Sequence, residues 1–274
     1  MIGAIAGDII GAPYEYAHFK KTDFDIFNME TGFTDDTVML IANAKWLLDS
    51  LQNPIKHSMD KLEEYMVAFG ENYQGAGYGG KFYRWLFHYE ELVTPDGKYA
   101  NRRIPYNSYG NGSAMRVAPV GWAFDTIEET LRVAKISAEI THNHFEGIKG
   151  AQATAAAIFL ARTGKSKQEI KSYIEQNFGY NLNRTCDEIR PYYKFDETCQ
   201  GTVPEAIIAF LESTDFEHAI RLAISIGGDS DTIACITGGI AEAYYQTVPE
   251  HIVENVFKIL PKEFVKIIEG FSMI

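Results

Sequence analysis

Two short oxygen-rich segments, Thr34-Asp35-Asp36-Thr37 and Asp229-Ser230-Asp231-Thr232, stand nearly two hundred residues apart, each just ahead of an apolar helical run. Thr and Asp are favoured helix caps, and carboxylates near a helix start are stabilised by its dipole, so capping is the ordinary explanation. A cap needs one side chain, however, and each segment supplies two carboxylates with flanking hydroxyls. Two anions about 4 Å apart repel by about 1 kcal/mol in bulk water and by more when partly buried. A hard cation removes that repulsion: Mg²⁺ and Mn²⁺ select oxygen ligands, including threonine hydroxyls. Four carboxylates exceed the needs of one Mg²⁺ and suit two ions roughly 3.5–4 Å apart. Zinc would call for His or Cys at ligand spacing. The chain has only one close histidine pair, His142/His144, and no C-x-x-C among Cys186, Cys199 and Cys235. Spacing therefore favours metal binding over capping and leaves the substrate open.

Other segments admit both a chemical and a plain reading. Gly7, Asp8, Gly11 and Glu15 fall at i, i+1, i+4 and i+8, one helical face, and the missing side chains at the glycines allow another helix to come close. Pro13 predicts that this helix ends near Ala12, which leaves Glu15 in a loop at a cleft edge. Asp8 fits either a structural role or support of the metal site. Gly75-Ala76-Gly77-Tyr78-Gly79-Gly80 is a turn that can present backbone N–H groups to a diphosphate. In Asn111-Gly112-Ser113-Ala114-Met115-Arg116, Asn111 or Ser113 either caps a helix or holds phosphate or ribose. Arg116 is expected to anchor a carboxylate in an acidic interior. Tyr106, Tyr109, Tyr192 and Tyr193 offer faces for adenine, although most such residues simply pack.

The elements that must position these residues are helices. Leu40, Ile41, Ala44, Leu47 and Leu48 share one helical face, beginning near Val38, and residues 127–140 repeat the pattern. Residues 150–160 are alanine-rich and almost wholly apolar, which predicts a buried central helix. Residues 206–211, 219–226, 233–245 and 252–260 continue the periodicity, and strand signals are nearly absent. The expectation is an all-α chain of about a dozen helices, one domain over 1–274, with irregular stretches at 93–112 and 179–201 and no repeat. The 46% hydrophobic and 23% charged composition supports a sizeable core. A formal charge of −12 argues against coating nucleic acid. Three cysteines make a poor disulfide framework, and the short apolar N-terminus contains Asp8 and no basic flank. A soluble, cytoplasmic protein in a reducing compartment is the expectation.

Six pieces in order resemble the ADP-ribosylglycohydrolase family, which includes the dinitrogenase reductase-activating glycohydrolases. They are Gly7-Asp8-Ile9-Ile10-Gly11-Ala12-Pro13-Tyr14-Glu15, Thr34-Asp35-Asp36-Thr37, Gly77-Tyr78-Gly79, Asn111-Gly112-Ser113-Ala114-Met115-Arg116, Thr141-His142 and Gly228-Asp229-Ser230-Asp231-Thr232. Each piece alone is weak, and the ordered set is specific.

The resemblance implies a compact all-α domain with two Mg²⁺ or Mn²⁺ ions in a cleft, cleaving the bond at C1″ of an ADP-ribosyl group. By motif match it makes Thr34, Asp35, Asp36, Asp229, Asp231 and Thr232 the metal ligands. Gly77, Tyr78, Gly79, Asn111, Gly112, Ser113, Met115 and His142 become substrate-binding residues, whereas His144 matches nothing. Glu15, Asp35 and Asp36 are the candidates for acid–base work. Because the net charge repels a diphosphate, cations must supply much of the local attraction. Two rivals stand beside this reading, a non-catalytic ADP-ribose reader and a metal hydrolase of another nucleoside diphosphate-linked substrate. The linkage cleaved (arginine, serine, acetyl ester or nucleotide) depends on loops at 19–33, 93–110 and 179–201; the implied partner is an ADP-ribose-containing substrate, an ADP-ribosylated protein among the candidates, with no membrane partner.

Overall fold

Glycine spacing in the first helix decides how the two ends of the chain meet. A computed structural model describes residues 1–52, 58–94 and 96–273. Among them are fifteen α-helices: α1 Ile2–Gly11, α2 Asp35–Gln52, α3 Met59–Asn72, α4 Gly80–Phe87, α5 Gly112–Met115, α6 Ala118–Ala123, α7 Ile127–Glu139, α8 Phe145–Arg162, α9 Lys167–Phe178, α10 Cys186–Ile189, α11 Cys199–Glu212, α12 Phe216–Ile226, α13 Ser230–Tyr245, α14 Glu250–Ile259 and α15 Lys262–Phe271. No strand occurs among the described residues, only isolated bridges at Val93–Tyr99 and Gly110–Thr198. The expected all-α architecture is therefore present, with more helices than the dozen read from periodicity.

Gly3, Gly7 and Gly11 lie on one face of α1, against α13. A Cβ on Gly7 would sit 2.0 Å from the Ala234 carbonyl oxygen, and one on Gly11 2.6 Å from the Asp231 Cα. Gly238 of α13 reciprocates, since a Cβ there would meet the Gly3 carbonyl oxygen at 2.1 Å. The two backbones thus touch directly, and the Gly3 amide donates to Glu242 Oε2 at 2.8 Å at the far end of the crossing.

α13 is the central helix, enclosed by α1, α8, α11 and α12. The alanine-rich run lies in α8 as the periodicity predicts, and Ala151, Ala153, Ala155, Ala156 and Ala157 are fully buried there. Small residues recur at its contacts: a Cβ on Gly121 of α6 would meet Ile158 Cβ at 2.6 Å. The apolar side chains of α1, α2, α8, α11, α12 and α13 join one continuous core. Helices α3, α9 and α15 pack on its edge and bury few residues each. Each is amphipathic, with an apolar stripe inward (Leu62, Met66 and Phe69; Ile170 and Ile174; Phe264, Ile268 and Phe271) and charged residues outward, and Ser166 and Glu169 form a capping box that marks the start of α9.

α2 begins at Asp35, three residues ahead of the expected start near Val38, so the first acidic pair lies inside the opening turn of the helix and not in a loop before it. The two irregular stretches meet at one place. The Asn111 amide donates to the Glu197 carbonyl at 2.8 Å and the Cys199 amide to the Tyr109 carbonyl at 2.9 Å, around the Gly110–Thr198 bridge.

If the α1–α13 contact sets the fold, Gly7→Ala should lower the unfolding free energy in urea by roughly 2–3 kcal/mol through overpacking against backbone. Gly32→Ala, with nothing within 4 Å of the added carbon, should stay within about 0.5 kcal/mol of the wild type.

Candidate active site

The site begins with Asp8, fully buried on α1. Its carboxylate accepts the Thr34 amide at 3.0 Å, the Thr34 hydroxyl at 2.7 Å, the Thr37 amide at 3.1 Å and the Thr37 hydroxyl. A carboxylate from one helix thereby satisfies the free donors at the start of another. Thr34 Oγ1 in turn accepts the Asp36 amide at 3.3 Å, and the Asp35 amide donates to the Ala76 carbonyl at 2.8 Å. Capping is thus done largely by Asp8 and Thr34, which leaves the Asp35 and Asp36 side chains free for other work.

The second cluster is set by Gly227 and Gly228, whose φ angles of +76° and +75° belong to the left-handed region that favours glycine. Asp229 follows as the N-cap residue of α13, and its Oδ2 accepts the Asn111 side-chain amide at 2.7 Å. The Ser230 hydroxyl donates to the Gly11 carbonyl at 3.1 Å, tying this turn to the end of α1. The Thr232 hydroxyl donates to Asp36 Oδ1 at 3.1 Å, so the two acidic segments are in direct contact.

Glu15 joins them. α1 ends at Gly11, a short 3₁₀ turn covers Ala12–Tyr14, and Glu15 follows. Ligand atoms of Glu15, Asp229 and Asp231 lie within 4.8 Å of one another. Asp36 Oδ2 and Asp231 Oδ1 are buried without any hydrogen-bond partner. Among the described residues, no lysine, arginine or histidine pairs with Glu15, Asp35, Asp36, Asp229 or Asp231. Burial first, then the neighbouring carboxylates, push Asp35, Asp36 and Asp231 well above the usual aspartate range. Glu15 rises too, chiefly through burial, against a hydrogen bond from Tyr16 that favours its charge. Orphaned carboxylate oxygens with an all-oxygen donor set and no protein counter-charge fit a hard divalent cation.

These residues floor a cleft of about 430 Å³. Thr34, Asp35, Asp36, Asp229, Asp231 and Thr232 all line it, as do Gly77, Gly79, Asn111, Gly112, Met115 and His142. Gly77 has φ +98°, and a Cβ there would lie 3.8 Å from Asp35 Oδ1, so the glycine turn borders the acidic floor. Tyr78 and Ser113 do not line the cleft. The Tyr78 ring packs on Phe82 and Phe87, and the Ser113 hydroxyl donates to the Gly147 carbonyl at 2.7 Å. Both side chains point into the protein and are buried there. Both hydrogens of the Asn111 amide are committed, to Asp229 and to Thr202 Oγ1 at 3.0 Å, so this side chain steadies a carboxylate.

Arg116 corrects an expectation. It is buried, but its partners are the Ser137 carbonyl and the Thr141 hydroxyl, at 2.7 and 2.9 Å, and not a carboxylate. Tyr106 and Tyr109 line the cleft, whereas Tyr192 is exposed elsewhere and Tyr193 packs under Gly228. Reasoning from motifs missed Tyr16, Lys81, Phe195 and Glu197. The Tyr16 and Phe195 rings stack at 5.6 Å across the cleft, and Glu197 adds a further acid. No spacing rule marks them; the meeting of the irregular stretches brings Phe195 and Glu197 here, and Tyr16 and Lys81 follow directly on Glu15 and the glycine turn.

The acidic floor has a consequence for the metal-free protein. Aspartates whose folded values lie above their ordinary 3.8 hold more protons folded than unfolded. Stability from these groups is therefore greatest at the acid end and falls as pH rises from about 4 through their raised values. In EDTA the thermal midpoint should rise as pH is lowered from about 8 to about 5.5, and Mg²⁺ or Mn²⁺ should raise it most at the alkaline end. Asp36→Asn should raise the midpoint in EDTA and shrink the response to cation, which differential scanning calorimetry reads directly; a cation response equal to that of the wild type would count against the site.

Comparison with known proteins identifies the family. A family model described as ADP-ribosylglycohydrolase matches residues 1–271. The chain is 28% identical to ADP-ribosylhydrolase ARH3 of Mus musculus over 323 aligned residues, covering 91% of this chain and 84% of that protein. It is 27% identical to ADP-ribosylhydrolase ARH3 of Homo sapiens, covering 91% and 86%. A solved structure titled ADP-ribosylglycohydrolase-related protein complex shares the fold with a TM-score of 0.71 at 24% identity, covering 98% of this chain and 95% of the other. Matched along nearly its whole length, the chain belongs to the ADP-ribosylglycohydrolase family and is a glycohydrolase.

Proposed function

We propose that this protein removes ADP-ribose from a modified side chain or small molecule by hydrolysing the bond at C1″, with divalent cations held on the acidic floor. The observation that carries the reading is the pair of buried, unpartnered carboxylate oxygens, Asp36 Oδ2 and Asp231 Oδ1, facing one cleft from helices at opposite ends of the chain. The relatives named as ADP-ribosylhydrolases support the substrate class.

Thr34, Asp35, Asp36, Asp229, Asp231 and Thr232 would hold the metal, two Mg²⁺ or Mn²⁺ by the count of carboxylates. When bound, such ions supply positive charge that orients ribose hydroxyls and draws electron density from the reacting carbon. The residues of the chain do the rest. Asn111 keeps Asp229 in place through its amide. The turns at 77–79 and 110–112 border the space for the diphosphate, with Lys81 as the exposed cation at its edge. Tyr106 and Tyr109 offer ring faces for the adenine. Glu15, partly buried beside Asp229 and raised above the ordinary glutamate range, is placed to move a proton to or from the bond being cut. Asp35 and Asp36 belong with the cations on this reading.

Turnover of ADP-ribosyl substrates should vanish with excess EDTA and return with Mg²⁺ or Mn²⁺; full activity in chelator would remove the mechanism. Glu15→Gln should lower kcat by about 10²–10⁴ while ADP-ribose affinity changes little. Asp229→Asn should impair cation binding with the helical circular-dichroism signal intact. A panel of ADP-ribosyl-arginine, ADP-ribosyl-serine peptide and O-acetyl-ADP-ribose, scored by ADP-ribose release, identifies the linkage. Tight ADP-ribose binding with release from none of them would contradict the hydrolytic reading.

A further inference from the structure

The turn at Gly227 and Gly228 is where three stretches of chain press together. A Cβ on Gly227 would meet the Phe19 carbonyl oxygen at 2.8 Å and Lys20 Nζ at 2.9 Å. One on Gly228 would meet the Tyr193 ring at 2.7 Å and the Lys194 carbonyl oxygen at 3.0 Å. Each stretch sends an acid into the cleft close to this junction: Glu15 ahead of Phe19, Glu197 after Tyr193 and Asp229 after Gly228. No common helix holds the three, so something else must fix them to one another.

One side chain ties all three. Lys20 Nζ donates to the Tyr193 carbonyl at 2.9 Å and to the carbonyl of Ile226, the last residue of α12. An ammonium suits this place, having donors only and standing at the open carbonyls of a helix end. Both bonds go to main-chain carbonyls, although acids crowd the nearby cleft. The acceptors are themselves fixed: α12 packs on α13, and the Tyr193 hydroxyl donates to the Gly201 carbonyl of α11 at 3.1 Å. The stretch being held is open by contrast, with Tyr16, Ala17 and His18 exposed. Farther along it, Arg221 of α12 donates to the Thr22 and Phe24 carbonyls at 3.0 and 2.8 Å, and the Tyr14, Phe19 and Phe24 rings cluster. Of these two cationic ties to α12, Lys20 is the nearer to Glu15.

We propose that Lys20 is a positioning residue: its ammonium holds the Glu15–Tyr16 stretch against the 193–197 stretch and the end of α12. That hold sets Glu15 beside Asp229 and brings the Tyr16 ring onto Phe195 at the cleft edge. The metal-binding carboxylates have ties of their own, since Asp8 and Thr34 order the start of α2 and Asn111 steadies Asp229. Loss of the Lys20 tie therefore acts on turnover and spares the binding of cation and ADP-ribose. The reaction it serves rests on the hydrolytic reading of the cleft; the tie itself rests on the two hydrogen bonds.

Lys20→Met keeps the apolar stem and removes the donors, while Arg221 and the ring cluster still hold the rest of the stretch. Hydrogen exchange read by mass spectrometry should quicken at residues 15–20 and stay as in the wild type in α2 and α13. The kcat should fall about 10²-fold, the cost of misplacing a reacting group by about 1 Å. Mn²⁺ and ADP-ribose affinities by calorimetry should stay within about twofold, the mark of an effect confined to turnover. Lys20→Cys should behave alike, and alkylation with 2-bromoethylamine, which rebuilds an ammonium of the same reach, should restore both exchange and kcat. Cys186, Cys199 and Cys235 are buried away from the reagent. Unchanged exchange at 15–20, an unchanged kcat, losses of cation and ADP-ribose binding as large as the loss of kcat, or no recovery on alkylation overturns the proposal. A wild type that releases ADP-ribose from no substrate overturns the hydrolytic reading instead, and the exchange comparison then decides the tie alone.

Discussion

The direct backbone contact between α1 and α13 is the constraint from which the site follows. With Gly3, Gly7 and Gly11 against Ala234, Asp231 and Gly238, the axes come closer than side chains would allow. Asp8 is one residue beyond Gly7, and Asp231 itself lies under Gly11, so the same contact that packs the core brings acids from both ends of the chain together. Ser230 then seals the join through the Gly11 carbonyl. Packing and chemistry are coupled here because the helix that must be central to the core is also the helix whose first turn must be open to a cleft.

That coupling has an electrostatic cost. Asp8 is compensated by four hydrogen-bond donors, which makes it a structural anion that organises the start of α2. Asp36 and Asp231 each retain an unpartnered oxygen, and no cationic side chain is paired with either among the described residues. Nearby cations are spent elsewhere: Arg116 serves Ser137 and Thr141, and Lys20 donates to the carbonyls of Tyr193, at 2.9 Å, and Ile226. Acids left unpaired while cations such as Arg116 and Lys20 bond elsewhere keep that place for a charge from outside.

Much of this was legible in the residues. The alanine run of α8, the apolar period of α2 and the glycine spacing of α1 are local patterns, and local patterns survive without knowledge of what packs against them. The acidic pairs were legible for a similar reason, since two adjacent carboxylates at one helix start exceed what capping uses. Helices α3, α9 and α15 carry narrow apolar stripes of two or three buried residues on otherwise charged segments, a weaker signal than the broad apolar runs of the central helices, and the start of α2 was displaced by Asp8, a cap supplied from another helix. Tyr78 and Ser113 stood inside motifs that border the cleft, yet their side chains turn inward.

By itself the sequence determined the helical class, the oxygen-rich character of the site and the family, because periodicity, residue chemistry and motif order are properties of the chain read along its length. Only the tertiary structure decided which side chains point into the cleft, that Glu15 stands beside Asp229 and Asp231, that Glu197 and Phe195 join them, and that Arg116 serves a hydroxyl and not a carboxylate. Those outcomes depend on rotations within turns and on contacts between segments far apart in number, where burial, crowding and competition for hydrogen-bond partners choose among directions that the residue types leave equal.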